Sequence, residues 1–138
     1  MAPSPSLIFL NLKTYVPSNL SKYIFPTPIF AKIANEILDY IEKYNVVIEI
    51  NINGFSRRKS RNGKTYIDYP CDYFWDEVAK RNIRIVYGGD FHNPDSIDDK
   101  NLNKQLEDFI NRHNLKLVDI NDVYDEYKQR LKDKKLTK

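Results

Sequence analysis

Two side chains that could hold a metal ion follow directly after a predicted strand. Residues 83–87 are β-branched and apolar enough for a short buried strand, and Gly88-Gly89 ends it. Asp90 and His92 come next, and residues two apart in extended backbone project to the same side. A carboxylate and an imidazole suit Zn, Mn or Fe, so we predict a metal site with Asp90 and His92 as ligands. The alternative is a loop aspartate beside an exposed histidine, since zinc normally takes three or four protein ligands.

A cluster of cations lies in a polar stretch between two predicted elements. Within residues 53–69, which we predict to be a long loop, Arg57 and Arg58 begin a basic run that reaches Lys64. The planar guanidinium group matches two phosphate oxygens at once, so Arg57 and Arg58 are predicted to bind a phosphate ester. The alternatives are a solvated basic loop and a contact with a nucleic-acid backbone.

The strand predicted over residues 46–52 has an unusual alternation. One of its faces carries only Val and Ile, whereas Glu49 and Asn51 stand on the other. A strand covered by helices should be apolar on both faces, so these two side chains should point into a polar space, such as the mouth of a barrel. The alternative is an edge strand with one face in water.

The composition bounds the class of protein. A chain of 138 residues, 30% charged and 41% hydrophobic, is long enough for one ordinary domain. The net charge of +3 is too small to indicate a nucleic-acid-binding protein. No apolar run approaches the length of a membrane span, and residues 7–10 are too few for a signal peptide. We therefore expect a cytoplasmic protein with no membrane or nucleic-acid partner.

Three further side chains are interpreted as structural. His113 lies near a predicted helix end, where a cation interacts favourably with the helix dipole. The single cysteine, Cys71, excludes an intramolecular disulfide, and with no histidine close to it in sequence it is better explained as a buried or half-buried thiol than as a nucleophile. Trp75 lies in an apolar helical stripe and is predicted to belong to the core.

Strands and helices are predicted to alternate along the chain. We expect strands at residues 7–12, 46–52, 83–87 and 115–120, and helices at residues 28–44, 72–82, 94–110 and 121–131. This order implies a parallel sheet, in which functional groups gather at the carboxyl ends of the strands. We treat residues 1–138 as a single domain, with a disordered start at residues 1–6 and a basic tail at residues 128–138.

Three segments resemble one enzyme family. Residues 47–54 (VIEINING) resemble the "(L/V)EINTSG" strand of the PHP (polymerase and histidinol phosphatase) family, and Tyr69-Pro70 resembles its recurring "YP". Residues 85–94 (IVYGGDFHNP) resemble the family's "(V/I)xxGSDAHxP", with Gly89 where serine is usual. The three segments occur in the family's order and spacing, across about residues 29–120. The chain is most similar to the histidinol phosphatases of this family.

This resemblance implies a metal-dependent phosphatase. Family members have a seven-stranded (β/α) barrel with a cluster of divalent metals, and they hydrolyse small phosphate esters. Asp90 and His92 match the family's last two metal ligands. Arg57 or Arg58 matches its phosphate-binding arginine, and Asn51 matches a position beside the substrate. The implied cofactors are Zn, Mn or Fe ions, and the implied reaction is hydrolysis of L-histidinol phosphate in histidine biosynthesis.

The resemblance covers only the second half of such a barrel. We therefore expect an α/β fold, a parallel-stranded partial barrel of about four βα units. Its open sheet edge would need a partner, either a second chain or a missing N-terminal half that completes the barrel. The family's first strand carries a His-x-His pair, whereas this chain has two histidines in all. Phe9 occupies the place of a metal-binding histidine of the family, and Asn11 replaces an aspartate. The alternative is a catalytically inactive PHP remnant that serves as a structural or binding module.

Overall fold

The computed structural model describes residues 28–61, 63–67, 69–89 and 94–136 of the chain. This part contains four α-helices, one pair of parallel strands and one antiparallel hairpin. The helices are α1 (Pro28–Lys43), α2 (Asp72–Ala79), α3 (Lys100–His113) and α4 (Ile120–Leu136). The parallel strands are β1 (Val47–Asn51) and β4 (Arg84–Gly88), and the hairpin strands are β2 (Arg58–Arg61) and β3 (Lys64–Ile67).

The parallel pair β1 and β4 lies at the centre of the molecule. The two strands pair in register from Val47 opposite Arg84 to Asn51 opposite Gly88. Residue 117 adds a single parallel bridge to Ile85, on the side of β4 away from β1. Runs of Val and Ile favour this pairing because β-branched side chains pack well on a pleated, buried surface.

Helices cover both faces of this sheet. On one face, Ile48, Ile50 and Ile85 pack with the apolar sides of α1, α2 and α3 in the main core. On the other face, Val47 and Val86 pack with Val123 of α4 in a smaller cluster. The largest fully buried side chains of this core are two aromatic residues of α2 and one of α3, namely Phe74, Trp75 and Phe109. The prediction that Trp75 belongs to the core is therefore confirmed.

The predicted fold class, a partial barrel of about four βα units, is wrong for the described part of the chain. Only two parallel strands form there, because residues 115–120 supply a single bridge before α4 begins at Ile120. The predicted strand at residues 7–12 lies outside the described residues. In addition, Val123 of α4 packs on the sheet face that would line a barrel, so the layers run helix, sheet, helix.

Two further local predictions are corrected by the structure. Residues 53–69, predicted to be a loop, contain the end of the 3₁₀ helix Ile52–Ser56 and the β2–β3 hairpin. The third helix begins later than predicted: Pro94–Ser96 form a 3₁₀ turn, and Asp99 caps α3 by accepting hydrogen bonds from two backbone N–H groups. None of the described helices is both long enough and apolar enough to cross a membrane.

Candidate functional site

The carboxyl ends of β1 and β4 meet at one edge of the sheet. The strands are parallel and in register, so Asn51, the last residue of β1, lies opposite Gly88, the last residue of β4. This is the edge at which parallel sheets collect functional groups. The predicted metal ligands Asp90 and His92 lie outside the described residues, and β4 ends two positions before Asp90. Their assignment as ligands stays a prediction.

Asn51 is the predicted site residue whose side chain the structure places at this edge. Its side chain is only 3% exposed, although it ends a strand. The backbone of Asn51 is still extended, and the chain turns immediately afterwards into the 3₁₀ helix Ile52–Ser56. Its amide group is therefore held in a fixed, buried position between a strand and a helix, which is the kind of position that orients a bound group.

A carboxylate shares this edge with Asn51. Glu49 stands on the same face of β1 as Asn51, because side chains alternate along a strand. A Cβ atom added at position 88 would overlap with the carboxylate of Glu49, so this side chain reaches across the pair and lies over Gly88. Glycine at position 88 leaves the room that the carboxylate occupies.

This approach of Glu49 to Gly88 was missed by sequence reasoning, which treated Glu49 only as a polar group of the strand. A glycine in a strand does indicate a close approach of another group. Which group approaches depends on the register of the two strands, and the register is visible only in the folded chain.

The two candidate phosphate-binding arginines lie where the chain leaves the 3₁₀ helix. Arg57 follows this helix, is exposed, and its backbone N–H donates a hydrogen bond to the carbonyl oxygen of Gly54 at 3.0 Å. Arg58 is the first residue of β2, opposite Ile67. Arg58 thus begins the hairpin, and Arg57 links it to the 3₁₀ helix. Both arginines belong to the connection that follows Asn51, the last residue of β1.

The connection after β1 is held in place by a contact between Gly54 and Tyr69. A Cβ atom at position 54 would overlap with both the ring and the carbonyl oxygen of Tyr69, which is buried. The peptide bond between Tyr69 and Pro70 is cis. The contact between Gly54 and Tyr69 packs the two ends of the segment that carries Arg57 and Arg58 against each other.

The remaining candidate residues have structural surroundings. The imidazole of His113 contacts Asp76 through Nδ1 at 2.6 Å and Asp72 through Nε2 at 2.9 Å, which joins α3 to α2. Cys71 is half-buried at the start of α2, and desolvation by burial raises the pKa of its thiol. Both observations agree with the interpretation of these residues as structural.

The described residues contain no group of three or more His, Cys, Asp or Glu side chains arranged to hold a metal ion. Glu49 is the carboxylate that they place at the carboxyl edge of the sheet. The predicted ligands Asp90 and His92 are not among the described residues.

Three comparisons with known proteins bear on the identity of the chain. It matches no protein-family model, no curated protein and no solved structure. The resemblance of its three segments to PHP enzymes therefore stays a prediction.

Proposed function

We propose that the chain acts on a small phosphate ester at the carboxyl edge of the β1–β4 pair, with the help of a divalent metal ion. One observation carries this proposal: the in-register parallel pairing that sets Asn51 opposite Gly88. It brings the end of one strand, followed by Arg57 and Arg58, beside the end of the other, followed by Asp90 and His92. The segment with the proposed phosphate-binding arginines and the segment with the proposed metal ligands therefore both start from the same edge of the sheet.

Each residue has a role in this proposal. Arg57 and Arg58 bind the phosphate oxygens, since guanidinium groups donate paired hydrogen bonds to them. Asp90 and His92 hold the metal, and Asn51 orients the ester from its buried position. The metal, when bound, polarises the phosphoryl oxygens and stabilises the negative charge that develops during hydrolysis. The PHP resemblance of residues 85–94 makes L-histidinol phosphate the first substrate to test.

A second candidate function is binding without catalysis, as in an inactive remnant of a phosphatase. The chain has two histidines, and His113 is held between Asp72 and Asp76 at the α2–α3 contact. His92 is then the one imidazole left for a metal site. A cluster of several metals needs more ligands than this, so a site that binds a phosphate ester but does not cleave it is consistent with the chain.

Two measurements on the purified full chain separate these functions. The first is phosphate release from L-histidinol phosphate and from p-nitrophenyl phosphate, with added Mn²⁺ or Zn²⁺. The second is calorimetric binding of L-histidinol phosphate in the same buffers. The variants are Asp90→Asn and Arg57→Gln, with Arg112→Gln as a control, because Arg112 is exposed on α3 and distant in sequence from the site.

Turnover that Asp90→Asn abolishes and Arg112→Gln leaves unchanged would support the metal-dependent phosphatase. Binding that Arg57→Gln weakens, without turnover in any metal, would support the inactive binding module. A chain that neither binds nor cleaves either ester, while circular dichroism shows it to be folded, contradicts both.

A further inference from the structure

One side of α1 carries a row of exposed apolar side chains. The exposed fractions are 68% for Ile29, 49% for Ile33, 37% for Ile37 and 64% for Tyr40. The ring of Tyr40 stacks on that of Tyr44, with centroids 6.0 Å apart and planes within 10°. We call Ile33, Ile37 and Tyr40, together with the half-buried Tyr44 directly after the helix, the α1 stripe. Single exposed apolar residues are common on protein surfaces, but a continuous row along one helix indicates a binding surface.

The α1 stripe is distinct from the sides of α1 that already have partners. Ala34, Leu38 and Ile41 of α1 are buried in the main core. A second side faces α2 and the residues directly after it, since Asn35 donates a hydrogen bond to Tyr73 of α2 and Arg81 donates to both Asn35 and Asp39. At 100° per residue, the α1 stripe lies on the flank opposite to Asn35 and Asp39.

The spacing of the α1 stripe is that of a two-helix seam. Its members are separated by four, three and four residues, the repeat by which one helix meets another along a narrow line. An antiparallel second copy of α1, related by a twofold axis between residues 37 and 40, would place Ile37 against Tyr40 of the other copy. The same axis would place Ile33 against Tyr44. Every apolar member of the stripe thus meets another.

The charges beside the α1 stripe fit the same arrangement. Glu36 and Lys43 are exposed and seven residues apart, so they lie on one flank of the stripe. The twofold axis brings Glu36 of one copy near Lys43 of the other, and it does so twice. A parallel arrangement would instead turn this flank toward the flank of Ala34 and Ile41, which carries no charge and is buried in the core. The charges therefore favour the antiparallel pair.

We propose that the α1 stripe is a self-association surface, by which two copies of this chain pair through antiparallel α1 helices. The overlap covers about three helical turns, which is less area than a permanent dimer buries. The pair is therefore weak and reversible, and it forms at high protein concentration. This inference is independent of the proposed function, because the α1 stripe contains none of the residues proposed to bind phosphate or metal.

A charge exchange tests this pairing in the full chain by sedimentation equilibrium from about 10 µM to about 1 mM protein. Glu36→Lys alone, or Lys43→Glu alone, sets two pairs of like charges across the twofold axis, and each is expected to weaken association about tenfold. The double variant restores opposite charges and is expected to restore most of the association. Lys104→Glu on α3 is the control, since it makes the same change in net charge as Lys43→Glu on another exposed helix surface.

Further variants separate the charges from the apolar contact. Glu36 also lies 3.9 Å from Lys32 within α1, so Glu36→Lys loses an exposed ion pair of its own helix. Lys43→Glu instead loses the contact of Lys43 Nζ with the ring of Tyr44, 5.3 Å from its centroid. Ile37→Glu is expected to abolish association without unfolding the chain, because position 37 is already open to solvent. Thermal melting monitored by circular dichroism checks that each variant is folded.

The proposal is overturned if the chain stays monomeric up to about 1 mM, a result that would leave the stripe to another occupant such as the segment before α1. It is also overturned if the chain associates but Ile37→Glu and the charge exchange have no effect. Loss with each single variant and recovery in the double variant supports it.

Discussion

The Nδ1 atom of His113, the last residue of α3, lies 2.6 Å from Oδ1 of Asp76 in α2. The other ring nitrogen lies 2.9 Å from Asp72, one turn earlier in α2. The histidine side chain is 3% exposed, whereas both carboxylates are largely open to solvent. One buried ring thus joins two helices through groups that remain hydrated on their outer side.

Replacing His113 should weaken the α2–α3 contact. We expect His113→Leu, which keeps an apolar group beside Phe109, to lower the free energy of unfolding by about 2 kcal/mol through loss of the ring's contacts with the two carboxylates. Urea denaturation followed by Trp75 fluorescence measures the change. Arg112→Gln is the control, because Arg112 binds the same Asp72 from an exposed position, where an ion pair contributes at most about 1 kcal/mol. Equal losses in the two variants would contradict the role of His113.

Adding a methyl group at two glycines should have unequal effects. Gly54→Ala forces a Cβ atom into the ring and carbonyl oxygen of Tyr69, and we expect a loss of about 3 kcal/mol of stability. Gly88→Ala meets only the carboxylate of Glu49, the movable end of a long side chain, so its cost should be about 1 kcal/mol. Chemical denaturation of both variants gives the comparison. A larger loss for Gly88→Ala would show that Glu49 is held rigidly over the strand end.

The pair of Arg84 and Glu126 predicts a dependence of stability on acid. The hydrogen bond from Arg84 lowers the pKa of Glu126 from its ordinary 4.5, so the folded chain keeps this charge after the unfolded chain has taken up a proton. The contribution is thus complete above pH 4.5 and is lost as the pH falls through the lower, folded-state pKa. Denaturation curves of the wild type and Glu126→Gln should differ at neutral pH and converge in acid. A constant difference across this range would contradict the assignment.

The thiol of Cys71 should react slowly. Burial raises its pKa above the ordinary 9.0, which leaves little thiolate at neutral pH, and only the thiolate is nucleophilic. We expect alkylation by iodoacetamide to be much slower in the folded chain than in urea, with a rate that still rises above pH 9.0. Mass spectrometry of timed samples gives both rates. Equal rates would show that the thiol is open to solvent.

Hydrophobic periodicity was sufficient to predict the elements that have one clear repeat. The helix at residues 28–44 and the strands at 46–52 and 83–87 are confirmed within one or two residues as α1, β1 and β4. Residues 115–120 were predicted to be a strand but form only a single bridge, because the start of α4 competes with strand formation there. Asp119 accepts a hydrogen bond from the N–H of Asn121 at 2.8 Å, which starts α4 within the apolar run.

The hairpin had a signal that was overlooked. The sequence Asn62-Gly63 is typical of a two-residue hairpin turn, and Gly63 has a φ of +73°. The approach of Glu49 to Gly88 had no such local signal, because it joins two strands that are distant along the chain. The proposed metal ligands Asp90 and His92 stay predictions. Local pattern therefore predicted elements better than it predicted the residues that meet at the sheet edge.

The parallel β1–β4 pair also indicates where this chain can accept an insertion. Forming it closes a loop of residues 52–83, at an entropic cost of about 3 kcal/mol that rises only with the logarithm of loop length. Lengthening the turn at Gly63 by ten residues would add only about 0.2 kcal/mol on the same relation. The hairpin is thus the place where the chain can acquire new sequence by insertion while the strand register is kept. Because this hairpin begins at Arg58, which is proposed to bind phosphate, such insertions are expected to change ester binding more than stability.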